Sequence, residues 1–255
     1  MIESCLEPPL FLAMVKIQKY LFFLFPLVTC ACAKLGAQEL PARQSYAISG
    51  TFSPDSSHML IGQAEQRRTW TTSLEYGRTI WGNSVARIDY EGSITPFFQE
   101  RDPTIVGAFT DVGGSETMVP IQEKRVIAVS HNQIGEVSIG GPPVPLYGIY
   151  SSEKTYAFSV SPIGARVNFY NSRHLQPTFS TDLGLVFSGR DLPVDDSARL
   201  NYLFSFGPGI EFFYKKNEAV RLEYLYRHMS NGGSGDLNPG VDQGVIRLTL
   251  SFRHR

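Results

Sequence analysis

The sequence predicts an all-β protein: an eight-stranded antiparallel outer-membrane β-barrel with long extracellular loops and short periplasmic turns. Charged residues make up 18% of the 255 residues, below the roughly one quarter that is usual in soluble proteins. Aromatic residues reach 12%, and most of them stand in segments where apolar and polar side chains alternate. The connections between these segments are alternately short and long, which is the asymmetry expected of outer-membrane barrels.

Eight segments have the alternation and the length of membrane-crossing strands. A tilted strand needs about 9–11 residues to cross a bilayer, and each segment provides them. In the sixth segment, Tyr202 and Phe204 lie on one face, whereas Ser205 and Glu211 lie on the other. Apolar faces toward lipid and polar faces toward the lumen suit both surroundings. The predicted strands are 44–53, 68–80, 85–95, 155–169, 176–188, 201–213, 218–230 and 241–252.

The connections fix the expected orientation of the barrel. With both termini in the periplasm, every short turn is periplasmic and every long loop is extracellular. The segment 96–154 is too long for an ordinary loop and holds strand-like pieces, so it is expected to extend the third and fourth strands outward or to form a lid. Pro162 interrupts the fourth strand and predicts a bulge. The short connections are 81–84, 170–175 and 214–217, and the other long ones are 54–67, 189–200 and 231–240.

The N-terminal region has the pattern of a secretory signal. Lys16 and Lys19 precede an apolar run at 20–28 that continues to Ala33. At about 14 residues it is shorter than the about 20 of a spanning helix. Cleavage is expected after Ala33 or Ala37. All three cysteines precede these sites, so the mature chain is expected to hold no disulfide. A lipoprotein attachment at Cys30 is a weaker alternative. The predicted divisions are a signal-peptide region at 1–37, with Met14 as the expected start, and the barrel at 38–255.

Composition also excludes several classes of function. The net charge is −1, and no block of lysine and arginine is long enough to follow a phosphate backbone, so nucleic acid is not an expected partner. The histidines at 58, 131, 174 and 254 lack paired ligand spacing, so no metal and no cofactor are expected. The aromatic residues expected to form interfacial girdles are Trp70, Trp81, Tyr76, Tyr90 and Tyr226.

Three polar residues of the predicted final hairpin form a candidate catalytic group. The seventh strand ends with His228 and Ser230, on the face opposite to Arg221 and Glu223. Because the charged face should line the lumen, His228 and Ser230 are expected to point outward. Asp242 falls on the outward face of the eighth strand, so all three residues are predicted on the exterior.

The hairpin register brings these residues together. If the hairpin is centred on Gly235, His228 lies directly opposite Asp242, with about 5 Å between their Cβ atoms. Ser230 follows two residues later, about 6.6 Å by strand rise. A serine hydroxyl becomes a nucleophile when histidine takes its proton, and the carboxylate fixes the histidine tautomer and stabilises the imidazolium. Candidate donors to the developing oxyanion are Asn231 and Asn238.

At these residues the chain resembles a known family, the lipid A 3-O-deacylases (PagL-like, often labelled acyloxyacyl hydrolases). The shared pattern is His-x-Ser-Asn, a short loop, Asn-x-Gly and then an acidic residue twelve positions after the serine. The matching residues are His228, Ser230, Asn231, Asn238, Gly240 and Asp242.

The resemblance implies a function and a location. Ser230 would be the nucleophile, His228 the base and Asp242 the acid, with Asn231, Asn238 and Gly240 near the oxyanion or substrate. The reaction would be hydrolysis of the ester-linked 3-hydroxyacyl chain at the 3 position of lipid A, in the outer leaflet of a Gram-negative outer membrane. Two departures stand out: the founding type has glutamate where this chain has Asp242, and the segment 96–154 is longer than expected.

Two other functions remain open from the sequence. One is a non-catalytic small barrel, an adhesin or a structural protein, in which the segment 96–154 is the functional surface. The other is an esterase with the same catalytic group that acts on other lipids. The sequence also leaves a homodimer open.

Overall fold

In a computed structural model, the described residues are 44–113, 115–138, 140–171 and 174–254. The predicted signal-peptide region at 1–37 lies outside the described residues. Within these ranges, no helix has the length and apolar character needed to cross a bilayer. The strands are β1 (Gln44–Ser53), β2 (Arg68–Gly82), β3 (Ala86–Val112), β4 (Ser115–Val119), β5 (Lys124–Arg125), β6 (Gln133–Val137), β7 (Val144–Phe169), β8 (Leu175–Leu192), β9 (Ala198–Lys215), β10 (Glu218–Ser230) and β11 (Val241–His254).

Eight of these strands close into a ring in which neighbouring strands run antiparallel. The order around the ring is β1, β2, β3, β7, β8, β9, β10 and β11, and β11 pairs with β1 to close it. Along β10 and β11, Leu222 and Leu248 are exposed on the outside, whereas Arg221 and Thr249 are buried in the lumen. The predicted fold class, an eight-stranded antiparallel β-barrel, is confirmed.

The lumen is filled by ion pairs that connect opposite walls. Arg221 contacts Glu75 at 2.9 Å, and it contacts Glu91 and Glu223 at 3.0 Å each. Arg247 pairs with Glu223 at 2.6 Å. Such buried charges need partners, since each one would otherwise lose its hydration without compensation. The inward residues therefore hold the barrel together instead of lining an open channel.

The strands β3 and β7 are 27 and 26 residues long, whereas β1 has 10. They stay paired from Ala86–Phe169 to Phe109–Tyr147, far beyond the ends at 95 and 155 that the sequence predicted. Inward side chains such as Phe98 continue the alternation past the predicted end. The segment 96–154 thus contains a two-stranded extension, which β4 and β6 flank at its outer end. The structure also has the register shift next to Pro162 that the sequence predicted.

A buried arginine fixes the loops at the extracellular end. The Arg67 side chain is 0% exposed and donates to the carbonyl oxygens of Glu65, Ile127, Val126 and Pro193, at 2.5, 2.8, 2.6 and 3.4 Å. These carbonyls belong to three separate connections. One guanidinium therefore ties the first extracellular loop, residues 54–67, to the other loops, and this places the loop for its role in the candidate site.

Candidate active site

The final hairpin places His228 directly opposite Asp242. The turn between β10 and β11 includes Gly232 and Gly233, whose φ angles of 62° and 82° lie in the left-handed region that glycine adopts without a steric penalty. This turn sets the register of the pair. His228 and Asp242 both lie on the outward side of the barrel wall, and their neighbours Arg227 and Gln243 are buried in the lumen.

Four hydrogen bonds hold the carboxylate of Asp242. His228 Nδ1 lies 2.6 Å from Oδ1 and must be the donor, because an ionised carboxylate only accepts. The Tyr226 hydroxyl donates to the same oxygen at 2.8 Å. The backbone N–H groups of Leu60 and Ile61 donate to Oδ2 at 2.7 and 2.9 Å. With the proton on Nδ1, Nε2 of a neutral His228 carries the lone pair that a general base needs.

The first extracellular loop covers Asp242, whose side chain is 0% exposed. Gln63 and Ala64 donate backbone hydrogen bonds to the carbonyl oxygens of Pro239 and Gly240, at 2.6 and 2.9 Å, so the loop lies against the start of β11. Gly62 permits this approach, because a Cβ atom there would lie 2.5 Å from the backbone nitrogen of Asp242. The acid is on the outward side, as the strand alternation predicts, but the loop shields it from the surroundings.

Ser230 ends β10, two residues beyond His228 on the same face. It is partly exposed, and the His228 side chain is 14% exposed. Within the described residues, neither Ser230 Oγ nor His228 Nε2 takes part in a hydrogen bond. Such loose geometry between nucleophile and base is common in enzymes without substrate. Ser230 Oγ and His228 Nε2 can therefore contact a substrate, whereas both carboxylate oxygens of Asp242 already accept hydrogen bonds.

The two candidate oxyanion residues have different surroundings. Asn231 is buried, its Nδ2 donates to the carbonyl of Leu237 at 2.7 Å, and its Oδ1 accepts from the backbone of Gly233 at 2.8 Å. Its side chain therefore builds the turn. Asn238 is exposed, and its Oδ1 accepts from the backbone N–H of Asn231 at 3.1 Å. That bond orients the Asn238 amide and leaves Nδ2 without a partner among the described residues.

Gly240 lies against the imidazole of His228. A Cβ atom at this position would lie 2.9 Å from Cε1 and 3.7 Å from Nε2 of His228, and the φ angle of 61° is strained for any other residue. Both observations require glycine here. The sequence singled out Gly240 as a substrate or oxyanion residue, and the structure places it where it sets the position of the base.

Two components of the site were not identified from the sequence. Tyr226 was assigned to the aromatic girdle, although its position two residues before His228 on the same face is a signal for a contact with the site. The contribution of Leu60 and Ile61 has no such signal, because it consists of backbone N–H groups. It depends on the fold of a loop that lies about 180 positions earlier in the chain.

Comparison with known proteins supports the resemblance described above. A family model described as lipid A 3-O-deacylase (PagL) matches residues 132–251, a range that contains every candidate site residue of the final hairpin. The first extracellular loop lies outside this range. No curated protein sequence matches the chain. The predicted resemblance to this family is confirmed, and so is the predicted location in the outer membrane of Gram-negative bacteria.

Several solved barrel structures are also similar. The outer membrane enzyme PagL has 12% identity and a TM-score of 0.47, with 80% of this chain and 97% of that chain covered. Neisserial surface protein A has 12% identity and a TM-score of 0.37, with 84% and 99% covered. The outer membrane protein OprG from Pseudomonas aeruginosa has 8% identity and a TM-score of 0.43, with 86% and 98% covered.

Proposed function

We propose that this chain, which matches the lipid A 3-O-deacylase (PagL) family over residues 132–251, is an outer-membrane serine esterase that removes the ester-linked 3-hydroxyacyl chain at the 3 position of lipid A. The single observation that carries the proposal is the bond of 2.6 Å between His228 Nδ1 and Asp242 Oδ1 on the outward side of the barrel wall. With Nδ1 occupied by this bond, Nε2 is left to act as the base for Ser230, which lies two residues further along the same face of β10.

The chemistry begins with proton transfer. His228 Nε2 takes the proton of Ser230 Oγ, and Oγ attacks the ester carbonyl carbon of lipid A. Asp242 stabilises the imidazolium that forms. The tetrahedral intermediate collapses when the bond to the sugar oxygen breaks, and that oxygen takes the proton from His228. Water then attacks the acyl-serine by the same steps in reverse, which releases a 3-hydroxy fatty acid and restores Ser230.

Asn238 is the side chain best placed to stabilise the oxyanion. Its amide is anchored through Oδ1, so Nδ2 can be aimed at a developing negative charge without reorganising during the reaction. We assign Asn231 the supporting role of fixing the turn and donating its backbone N–H to Asn238. Together they form a small rigid unit directly after the nucleophile.

The wall below the site suits an acyl chain. His228 pairs with Phe204 across the sheet, and Tyr226 pairs with Phe206. The ring centroids of Phe204 and Phe206 are 5.3 Å apart, and those of Phe206 and Tyr226 are also 5.3 Å apart. An ester that reaches Ser230 from the outer leaflet therefore keeps its tail against an aromatic surface within the lipid, and the tail stays out of water.

The proposal is tested on lipid A itself. The full chain is expressed in a Gram-negative host, and lipid A is extracted and analysed by mass spectrometry. We expect a loss of mass equal to one 3-hydroxyacyl chain with the wild type and no loss with Ser230→Ala or His228→Ala. Ser57→Ala, on the exposed first loop, is the matched control and should behave as the wild type.

Three results would contradict the proposal. An unchanged lipid A spectrum with folded wild-type protein in the outer membrane would favour a non-catalytic barrel. Cleavage that persists in the Ser230 variant would exclude this nucleophile. Release of fatty acids from phospholipids, without any change in lipid A, would assign the same catalytic group to another lipid.

A further inference from the structure

Three exposed cations lie side by side on β2, β3 and β7, outside the hairpin of the candidate active site. Arg68 of β2 pairs with Arg101 of β3, and Arg101 pairs with Lys154 of β7. All three side chains are exposed and lie on the outward face of the barrel. Aligned residues on neighbouring strands have Cβ atoms about 5 Å apart, so the three form one basic row across three strands. In the ring, β3 lies four places from β10 and β7 four places from β11, whereas β2 lies two places from β11.

The row has no acidic partner. Among the described residues, no ion pair involves any of its three side chains, whereas other exposed cations at this end of the barrel do have one. Lys124 pairs with Asp196 at 3.2 Å, Arg190 with Glu153 at 2.5 Å and Arg199 with Asp191 at 3.6 Å. The aligned positions that precede and follow the row along the strands are also neutral. They are Pro103 and Ser152 beyond the row, and Trp70, Gln99 and Tyr156 before it.

Like charges directly opposite each other on a sheet destabilise it. A row of three such charges, none of which makes an ion pair among the described residues, therefore lacks a partner that would offset the repulsion. An anion that contacts all three side chains removes the repulsion. A phosphate group suits the row well, because guanidinium groups bind phosphate oxygens through paired hydrogen bonds and an ammonium group adds a point charge.

The surface next to the row indicates where this phosphate comes from. Immediately on the membrane side are the exposed rings of Trp70, Phe97, Tyr156 and Phe158. Trp70 packs against Phe52 with ring centroids 4.1 Å apart, and Phe97 packs against Tyr156 at 6.3 Å. Aromatic rings of this kind mark the membrane–water interface of a barrel. The basic row thus lies at the height of lipid headgroups, directly above rings that contact acyl chains.

We infer that Arg68, Arg101 and Lys154 form a binding site for the phosphate of a phosphorylated outer-leaflet lipid whose acyl chains lie against the rings below. The site lies on other strands than the hairpin that carries Ser230, so the barrel can hold a lipid at the row while that hairpin is free to bind a substrate. Its role is to anchor the barrel among phosphorylated lipids.

The test counts bound lipids. Ser230→Ala protein is purified in a neutral detergent, mixed with bisphosphorylated lipid A and examined by native mass spectrometry. We expect R68Q/R101Q/K154Q in this background to lose one bound lipid, with the dissociation constant of that lipid raised on the order of tenfold or more. The matched control R78Q/K215Q/K216Q removes the same charge at the periplasmic end and should change binding less than about twofold. Because binding is measured without hydrolysis, this result does not depend on whether lipid A is the substrate of Ser230.

Two further arms identify the ligand. Dephosphorylated lipid A should not fill the site, and inorganic phosphate at the same concentration should not displace the phosphorylated lipid. Without lipid, the row variant should be at least as heat-stable as the parent, because the repulsion is gone, yet it should gain less stability from added lipid A. If the triple variant does not fold, Lys154→Gln alone should weaken binding about threefold.

The inference is overturned by any of three results. These are unchanged lipid counts in the folded row variant, equal retention of dephosphorylated lipid A, or displacement by inorganic phosphate.

Discussion

The two faces of the final hairpin use charge in opposite ways. On the inner face, Glu223 meets Arg221 and Arg247, so opposite charges compensate each other within the lumen. On the outer face, the carboxylate of Asp242 is saturated by fixed donors, while His228 Nε2 at the reacting end has no partner in the described chain. Strand alternation alone therefore separates the charged side chains that stabilise the barrel, on the inner face, from those of the candidate catalytic group, on the outer face. Substitutions on each face should therefore have separable effects.

The largest expected effect comes from the outer face. Asp242→Asn removes the charge that stabilises the imidazolium and disturbs the histidine tautomer, so deacylation of lipid A should fall roughly 10³–10⁴-fold. The rate is measured from a time course of lipid A mass spectra. Asp55→Asn, on the exposed part of the first loop, is the control and should retain the wild-type rate. A loss smaller than about tenfold in folded Asp242→Asn protein would remove this residue from the catalytic group.

On the inner face, Glu223→Gln should lower the free energy of unfolding without disabling the site. It leaves Arg221 and Arg247 without this buried partner, a change that costs about 3–5 kcal/mol in comparable cases. Urea titration followed by gel migration of folded and unfolded barrel measures the loss. The deacylation rate per folded molecule should stay within about twofold of the wild type. Glu218→Gln, which removes an exposed pair with Lys215, should leave the urea midpoint unchanged.

Gly240→Ala tests whether the base must be held in place. The new methyl group would lie 2.9 Å from His228 Cε1, so the imidazole must move, and kcat should fall roughly 10–100-fold. Gly233→Ala is a matched control, because it has a similar positive φ of 82° but open space around the new methyl group. It should carry similar backbone strain and wild-type kcat. Equal kcat values for the two variants would exclude a positioning role for Gly240.

The smallest effect is expected from Tyr226→Phe. This change removes one of the four hydrogen bonds to Asp242, which corresponds to about 1 kcal/mol or roughly a fivefold lower kcat. Tyr224→Phe is the control on the same face, because the Tyr224 hydroxyl makes no hydrogen bond among the described residues. If both variants match the wild type, the bond of Tyr226 does not contribute to catalysis.

Much of the barrel follows from the sequence because the relevant interactions are local or periodic. A period of two separates residues such as Arg221 from Leu222 and assigns each to one face. The pairing of His228 with Asp242 follows from a short turn centred on Gly235, since the turn alone fixes the register of its two strands. The predicted ends of β10 and β11 are accordingly close to those observed.

Other features depend on contacts that no local pattern encodes. The hydrogen bonds from Leu60 and Ile61 to Asp242 use backbone N–H groups, so the amino-acid sequence of the loop does not predict them. In the extension of β3 and β7, acidic residues such as Glu100 and Asp102 occupy the inward positions. Without knowledge of the partner strand, a segment with such charged residues is predicted to be a loop. The structure also distinguishes Asn231 from Asn238, because only the fold shows that Asn231 Nδ2 already donates a hydrogen bond.

The height of the barrel wall differs on its two sides, and this has a practical consequence. From Arg101 the strand β3 continues to Val112, a rise of about 35 Å along the strand, whereas β10 ends at Ser230. A short epitope tag inserted after Val112 would therefore stand well clear of the leaflet and of the catalytic hairpin. Antibody labelling of whole cells could then count correctly assembled barrels without contact with the hairpin that carries Ser230.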